Sequence, residues 1–485
     1  MVRSAQTVIG WITLLLVLVC ALAVGGNMEA AWLTLAAGIF ILFVLQLIVD
    51  LIERHKLNAF LALAPAAVLF VASLTWAALQ LSDLLPSGWS APEWQFVEAS
   101  GRVAIDPNGG ALILARLAVY GMIFWIAARS CLDEAVASRF LIVIGVWCTL
   151  MAIYGLISAQ VGENPITGRE DRYVTGPFVN PNHFATYCAM GIIAMLGVLA
   201  IKIEQNDSGR WQRRFAEGFL NGLWFYVLAA LIMVTALVLT LSRGGLIVMF
   251  IGVAVFVFTV RRGTLKQNAT TAIIILVLLG SFATLTGMSY VLPELLYGDQ
   301  GGTRRAIYIS TIAAIADRPL FGYGLASFDD IILGYLTAEA TQRGVIDFAH
   351  NTYLENILEL GVPGAILFFG ALALVLLKLW QGAGRRRRLH ALPATGFATG
   401  ALVAVHALLD FSMQMPAAAA LFAFILGLSW AQSLTFEERQ PQMPQRSTRK
   451  RRSVTSTPRR AKPARSAARL SADDLLTPVN RSGGR

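Results

Sequence analysis

Long apolar runs alternate with short polar breaks along this chain, and the runs have the length of a membrane crossing. A helix needs about 20 apolar residues to traverse the hydrocarbon core. Such runs lie at residues 7–25, 30–51, 58–82, 111–128, 138–160 and 184–203. Others follow at 221–241, 245–260, 268–288, 361–380, 392–412 and 416–433. The pattern predicts an all-α integral membrane protein with about 12 transmembrane helices. Arg3 ahead of a run ending Ala21-Leu22-Ala23 has the outline of a signal peptide. The run is long and a second follows almost at once, which predicts a retained anchor.

Composition agrees with the pattern. The chain is 56% hydrophobic and only 14% charged, where soluble domains carry about 25% charged residues. Most of the net charge of +10 sits beyond residue 436, in Arg439, Arg446, Arg449, Arg451, Arg452, Arg459, Arg460 and their neighbours. The division is therefore a polytopic membrane domain at 1–435 and a disordered basic cytoplasmic tail at 436–485, too poor in apolar residues to fold alone. The tail is expected to lie on anionic membrane lipids; nucleic acid is not expected as a partner. Cys20, Cys131, Cys148 and Cys188 lack metal-ligand spacing, so neither a disulfide framework nor a zinc site is predicted.

The breaks sort by charge. Every second one is basic: Arg54 and Lys56, Arg129 and Arg139, Lys202 with Arg210, Arg213 and Arg214, Arg261 with Arg262 and Lys266, then Arg385 to Arg388 and the tail. By the positive-inside rule these face the cytoplasm, as do both termini. The intervening loops at 83–110, 161–183, 242–244, 289–360 and 411–415 face outward. They contain no lysine; their cations are Arg102, Arg169, Arg172, Arg243, Arg304, Arg305, Arg318 and Arg343. Arginine's planar fork suits bidentate phosphate recognition, although arginine also predominates elsewhere in this sequence.

The longest polar interruption, 289–360, is the place for chemistry on the water side. It opens with Gly301-Gly302-Thr303-Arg304-Arg305, continues through an apolar pattern at Ile307, Ile312 and Ile315, and turns at Pro319-Leu320-Phe321-Gly322-Tyr323-Gly324. It closes on His350-Asn351-Thr352-Tyr353-Leu354-Glu355. Leu354, Ile357 and Leu358 share one helical face and Glu355 and Glu359 another, with Gly361 and Pro363 as a stop signal. His350 then sits at a helix N-terminus, where the dipole favours the neutral imidazole that a general base requires. A helix-entry histidine bonded only to backbone is the equal alternative. Adjacent Arg304 and Arg305 cannot share a helical face, so one of them points at a ligand, unless both pair with Asp317, Asp329 or Asp330.

Two further outward features and one arginine inside a run matter. In Leu241-Ser242-Arg243-Gly244-Gly245 a capping serine, glycines and a cation can bind an anion, or the arginine reaches lipid phosphate. Gly176-Pro177-Phe178-Val179-Asn180-Pro181-Asn182-His183 specifies a tight turn into the sixth run, and Asn182 or His183 can touch a sugar. Arg116, about six residues into a run, is costly facing lipid and is expected to face a cavity.

Taken together and in order, Gly-Pro-Phe-Val-Asn-Pro-Asn-His-Phe-Ala, Leu-Ser-Arg-Gly-Gly, Arg-(x)14-Pro-Leu-Phe-Gly-Tyr-Gly from Arg304, and His-Asn-Thr-Tyr-Leu-Glu-(x)3-Glu-Leu-Gly resemble the O-antigen ligase and polymerase superfamily over about residues 140–380. The resemblance implies a fold of the GT-C type with a large helical periplasmic loop. It also implies a glycosyltransferase of the bacterial inner membrane, using an undecaprenyl-diphosphate-linked glycan on the periplasmic face, with no metal, cofactor or nucleotide sugar. Carried over, Arg243 and Arg304 hold the diphosphate and His350 serves the acceptor hydroxyl. Arg305, Asn351, Asn180, Asn182 and Arg116 are the further candidates for substrate binding. The family commonly has tryptophan four residues after the loop arginine; here that place is Tyr308.

Within the superfamily three acceptors stay open: lipid A-core for a ligase, another glycan for a polymerase, and a protein hydroxyl for an O-oligosaccharyltransferase. The alternative from another class is a multi-pass transporter of polysaccharide or a lipid-linked substrate. Ionisable groups along a mid-membrane path would favour it, and those near the runs are chiefly Arg116, His406 and Asp410.

Overall fold

A computed structural model describes residues 2–53, 60–96, 101–170, 173–205, 222–260, 301–336, 346–385 and 390–434. The expected run at 268–288, the basic clusters at 54–56, 210–214, 261–266 and 386–388, Arg172, Arg343 and the tail at 436–485 lie outside the described residues. Among those described, regular structure is helical, and the only pairing of extended backbone is an isolated bridge between Asn164 and Arg169.

The helices in chain order are α1 (Val2–Cys20), α2 (Glu29–Ile52), α3 (Ala64–Leu81), α4 (Pro107–Ser130), α5 (Glu134–Val161), α6 (Pro181–Gln205) and α7 (Trp224–Leu239). Then come α8 (Arg243–Val260), α9 (Gly301–Asp317), α10 (Phe328–Ile332), α11 (Thr352–Arg385), α12 (Ala391–His406) and α13 (Pro416–Ser433). Eight described helices are long and apolar enough to cross a membrane, and Ala5–Cys20, Trp224–Leu239 and Ala391–His406 are shorter apolar ones. This is a multi-pass, all-α membrane protein. Polar residues mark where helices start: Asp106 accepts from the amides of Asn108 and Gly109 ahead of α4, and Asp133 from those of Ala135 and Val136 ahead of α5.

α6 and α13 form the centre of the bundle and are buried on nearly every side. The sequence of α13 fits that place, being apolar or small all round. A Cβ added at Gly427 would stand 2.3 Å from the Phe124 carbonyl oxygen, so glycine lets α13 and α4 touch backbone to side-chain-free backbone. By contrast α2 and α3 present Ile41, Leu51, Val68 and Val71 outward as a lipid-facing rim.

One end of the bundle is tied by buried polar contacts. Gln6 donates to Glu53, Ser130 donates to the Gln6 carbonyl, and Arg129 pairs with Asp50 at 2.7 Å. Gln432, at the end of α13, donates to the Cys131 carbonyl. The starts of α6, α8, α11 and α13 therefore lie at the other end, where the loops expected to face outward converge.

There, α9, α10 and the first turns of α11 enclose a small core of Ile307, Ala314, Tyr323, Phe328, Ile332 and Leu358. Ile312, expected on the apolar face of α9, is exposed. The expected stop at Gly361 is a break inside a longer element rather than its end. Gly361 adopts φ 68°, ψ 167°, a backbone region open in practice only to glycine. Its stranded backbone groups are taken up by neighbours. Val362 N donates to the Pro319 carbonyl, and the Glu359 carbonyl accepts from Gly324 N and from Gln80. The Leu360 carbonyl accepts from Trp76. α12, expected to reach residue 412, ends at His406 because the amides of Leu409 and Asp410 both fold back on the His406 carbonyl.

Candidate functional site

The loop between α12 and α13 carries an acid that the rest of the site is built around. Asp410 is buried, and each of its oxygens is used. Oδ1 accepts from its neighbour Phe411 N at 2.9 Å and lies 3.2 Å from Nδ1 of His350. Oδ2 accepts from the Asn182 side-chain amide at 2.6 Å and lies 3.6 Å from a guanidinium nitrogen of Arg304. Four segments far apart in sequence meet at one carboxylate. Burial works against its ionisation, but the hydrogen bond from His350, aided by the neighbouring imidazoles, outweighs that. The carboxyl is held below the usual carboxylate range.

Each partner is set by local chemistry. Asn182 is in the first turn of α6, where Pro181 fixes the backbone and Asn180 accepts from Asn182 N at 2.8 Å. Asn180 is thus a cap. Arg304 lies in the first turn of α9; it donates to the Leu409 carbonyl at 2.9 Å, and its side chain is 27% exposed. Arg305, next to it, faces outward and is exposed. Of the two adjacent arginines, Arg304 is the one turned toward Asp410. Tyr308, one turn on, donates to the His350 carbonyl at 2.9 Å. Burial pushes its hydroxyl above the ordinary range, which keeps it a donor.

His350 is the residue just before the cap of α11. Asn351 accepts from Tyr353 N and Leu354 N and donates to the Leu408 carbonyl, so its side chain is spent on structure. His350 itself has φ 50°, the left-handed region that a branched or bulky residue rarely enters. Its ring meets Phe411 edge to face at 4.9 Å. An ionised carboxylate is acceptor-only, so Nδ1 must carry the proton toward Asp410. That leaves Nε2 as the basic nitrogen on a side chain that is 30% exposed.

Arg243 is the first residue of α8 and is exposed. Ser242 caps the helix, accepting from Gly245 N at 3.0 Å. A Cβ at Gly244 would lie 3.8 Å from Nε2 of His406 and from Leu409, so this helix start stands beside the Asp410 loop. Arg116 is elsewhere: it lies over the Trp32 ring at 5.4 Å, near Tyr120 and Cys20. Its neighbours there are aromatic side chains and a thiol.

Two more histidines complete the surroundings: His183, expected in a turn that can touch a sugar, and His406, expected only as a group on a transport path. His183 packs edge to face on Phe411 at 4.7 Å, on the ring that also supports His350. His406 is 3.0 Å from the Thr186 hydroxyl, which is 3.2 Å from that of Ser412. Asp410 is absent from the expected site and appears there only as a group on a possible transport path. It stands in an apolar context, Leu408-Leu409-Asp410-Phe411, near the end of the run at 392–412 expected to be a span. The one signal is an acid close to the outward end of that run, four residues after a histidine.

With this geometry in place, residues 228–369 match the family model described as O-antigen ligase. The match supports the O-antigen ligase and polymerase superfamily, as the motifs implied. It spans Arg243, Arg304 and His350, while Asn182 and Asp410 fall outside it on either side. No curated protein matches the chain.

Proposed function

We propose that this membrane protein, with its O-antigen ligase domain, is a glycosyltransferase that moves a glycan from undecaprenyl diphosphate to an acceptor hydroxyl at the periplasmic face of the inner membrane. Both termini are then cytoplasmic, in keeping with the basic loops. The observation that carries the reading is the His350–Asp410 pair with Arg304 on the same carboxylate.

In the proposed reaction Nε2 of His350 takes the proton of the acceptor hydroxyl. The oxygen attacks the anomeric carbon as the bond from that carbon to the diphosphate oxygen breaks. The imidazolium so formed faces Asp410, an ion already in place to stabilise it. Negative charge grows on the leaving diphosphate, and fixed cations aimed there stabilise the transition state more than the ground state. Arg304 has donors left after its contacts to Leu409 and Asp410, and Arg243 stands at the start of α8 beside the same loop. His406 and Asp410, which a transport path would have used, are committed to this cluster, and Arg116 lies apart from it.

Ligase, polymerase and protein O-oligosaccharyltransferase differ in the acceptor alone. Lipid-linked material from a deletion strain tests the proposal. Accumulated long chains on the lipid support a ligase, and single repeat units support a polymerase. Unchanged lipid-linked glycan, with every surface polysaccharide intact, contradicts the reading.

A further inference from the structure

Glu355 and Glu359 stand i,i+4 on the short helix that follows His350, a spacing that ordinarily marks a solvated face. Here that face is turned inward: Glu355 is 3% and Glu359 6% exposed. Each carboxylate is occupied by backbone from a different loop. Glu359 accepts from Ala326 N at 2.9 Å, a residue with φ 65° in the turn before α10. Glu355 does something more directed. Oε2 accepts from Ala349 N at 2.9 Å, and Oε1 accepts from the side-chain amide of Gln414. Ala349 immediately precedes His350, and Gln414 lies four residues beyond Asp410.

We infer that Glu355 is a positioning residue for transfer, a buried carboxylate that clamps the segment bearing His350 to the segment bearing Asp410. This rests on the functional reading above. The residues after His350 are tied to the Asp410 loop by Thr352 N to the Ala407 carbonyl at 2.8 Å, by the Thr352 hydroxyl to the Asp410 carbonyl, and by Asn351. The residue before His350 is held by Glu355. A side chain in the left-handed region persists where its surroundings fix it, and Glu355 ties the flank that the α11 cap does not. It also fixes the far side of the acid's loop through Gln414. Both of its oxygens meet a donor, which suits a side chain that accepts twice.

The geometry further says which replacement should work. Oε1 of Gln414 is buried with no hydrogen-bond partner. In Glu355→Gln the new carbonyl can accept from Ala349 N, and the Gln414 amide can turn over to offer its oxygen to the new NH2. Leucine can do neither.

The test uses the purified full-length protein in detergent, a lipid-linked glycan donor and a hydroxyl acceptor, with thermal unfolding recorded for each variant. Glu355→Leu should lower kcat about 100-fold, the scale of an ångström of misplacement in a reacting group. The KM for the donor should stay near that of the parent, and Glu355→Gln should recover most of the rate. Gln414→Leu, which removes one bond of the clamp, should lower kcat less and leave KM alone. Added to His350→Gln, either leucine variant should cost little more, because both act through the same imidazole.

Parental kcat in folded Glu355→Leu and Gln414→Leu overturns the inference. So does a loss that multiplies with that of His350→Gln, or one that appears in KM. Should Glu355→Leu fail to fold, Gln414→Leu and its combination with His350→Gln decide the matter alone. His350→Gln separates the two levels of argument. If it is fast, the functional reading fails; if it is slow while the Glu355 and Gln414 variants are fast, this inference fails by itself.

Discussion

Nδ1 of His350 and Oδ1 of Asp410 are 3.2 Å apart, although 60 residues separate them along the chain. The contact fixes which nitrogen carries the proton and which is free to take one. Asp410→Asn is expected to lose kcat by about 10²–10⁴, the range for misplacing or mis-protonating a general base. Asparagine keeps the shape but can present an NH2 to Nδ1 and so favour the wrong tautomer. Initial rates of transfer by folded, purified Asp410→Asn check this, and a rate within threefold of the parent would show that the acid does not orient the base.

The arginines should divide by position. Arg304 is anchored to Leu409 and turned toward Asp410, whereas Arg305 is exposed. Arg304→Lys should fail nearly as badly as Arg304→Ala, because one ammonium cannot hold the Leu409 carbonyl and an anion with the geometry of a planar fork. The expected loss is about 10²–10³ in rate. Arg243→Lys should behave likewise if it meets the diphosphate. Arg305→Ala should be mild, and a severe defect there would mean that the guanidinium facing the ligand has been misidentified.

Acid stability should single out Asp410. Its folded-state titration lies below that of an ordinary carboxyl, so its contribution is present above the unfolded value of about 3.9 and is lost as pH falls below it. The stability gap between the parent and Asp410→Asn should therefore hold constant from about pH 8 to 5 and narrow below about pH 4. Thermal unfolding in detergent across that range measures it. A gap that closes between pH 7 and 6 would assign the titration to an imidazole instead.

Gly361 should tolerate no side chain. A Cβ there would lie 2.4 Å from the Leu320 carbonyl oxygen, and the backbone has φ 68° with ψ 167°. Gly361→Ala should lower stability by about 1–3 kcal/mol from the backbone alone, with the clash in addition. Because the break seats the short helix behind His350, activity should fall with it. An alanine variant that melts with the parent would mean that the helix runs straight.

How much of this could be read from the chain differs between fold and site. The membrane-crossing runs were legible because length and hydropathy are local properties; described helices stand where eleven of them were expected. Their ends were less so. α12 stops at His406 through a backbone fold-back, and α11 continues past Gly361 because the 319–324 turn takes up the broken backbone bonds. Neither event leaves a compositional trace. His350 and Arg304 were legible because polar residues are conspicuous in an apolar chain. Asp410 was not, since its partners stand 60 and 228 residues away and its neighbours are leucine and phenylalanine. Asn180 and Asn351 were legible as polar residues in turns, but their side chains serve as caps.

In the proposed reaction His350 takes the acceptor's proton with Asp410 behind it. The most direct measurement is single-turnover transfer from a lipid-linked glycan by purified His350→Gln, compared with the parent and checked for equal thermal stability. Glutamine keeps size and hydrogen bonding but has no basic nitrogen, so the rate should fall by about 10²–10⁴ with donor binding retained. Transfer by folded His350→Gln at the parental rate would contradict the account.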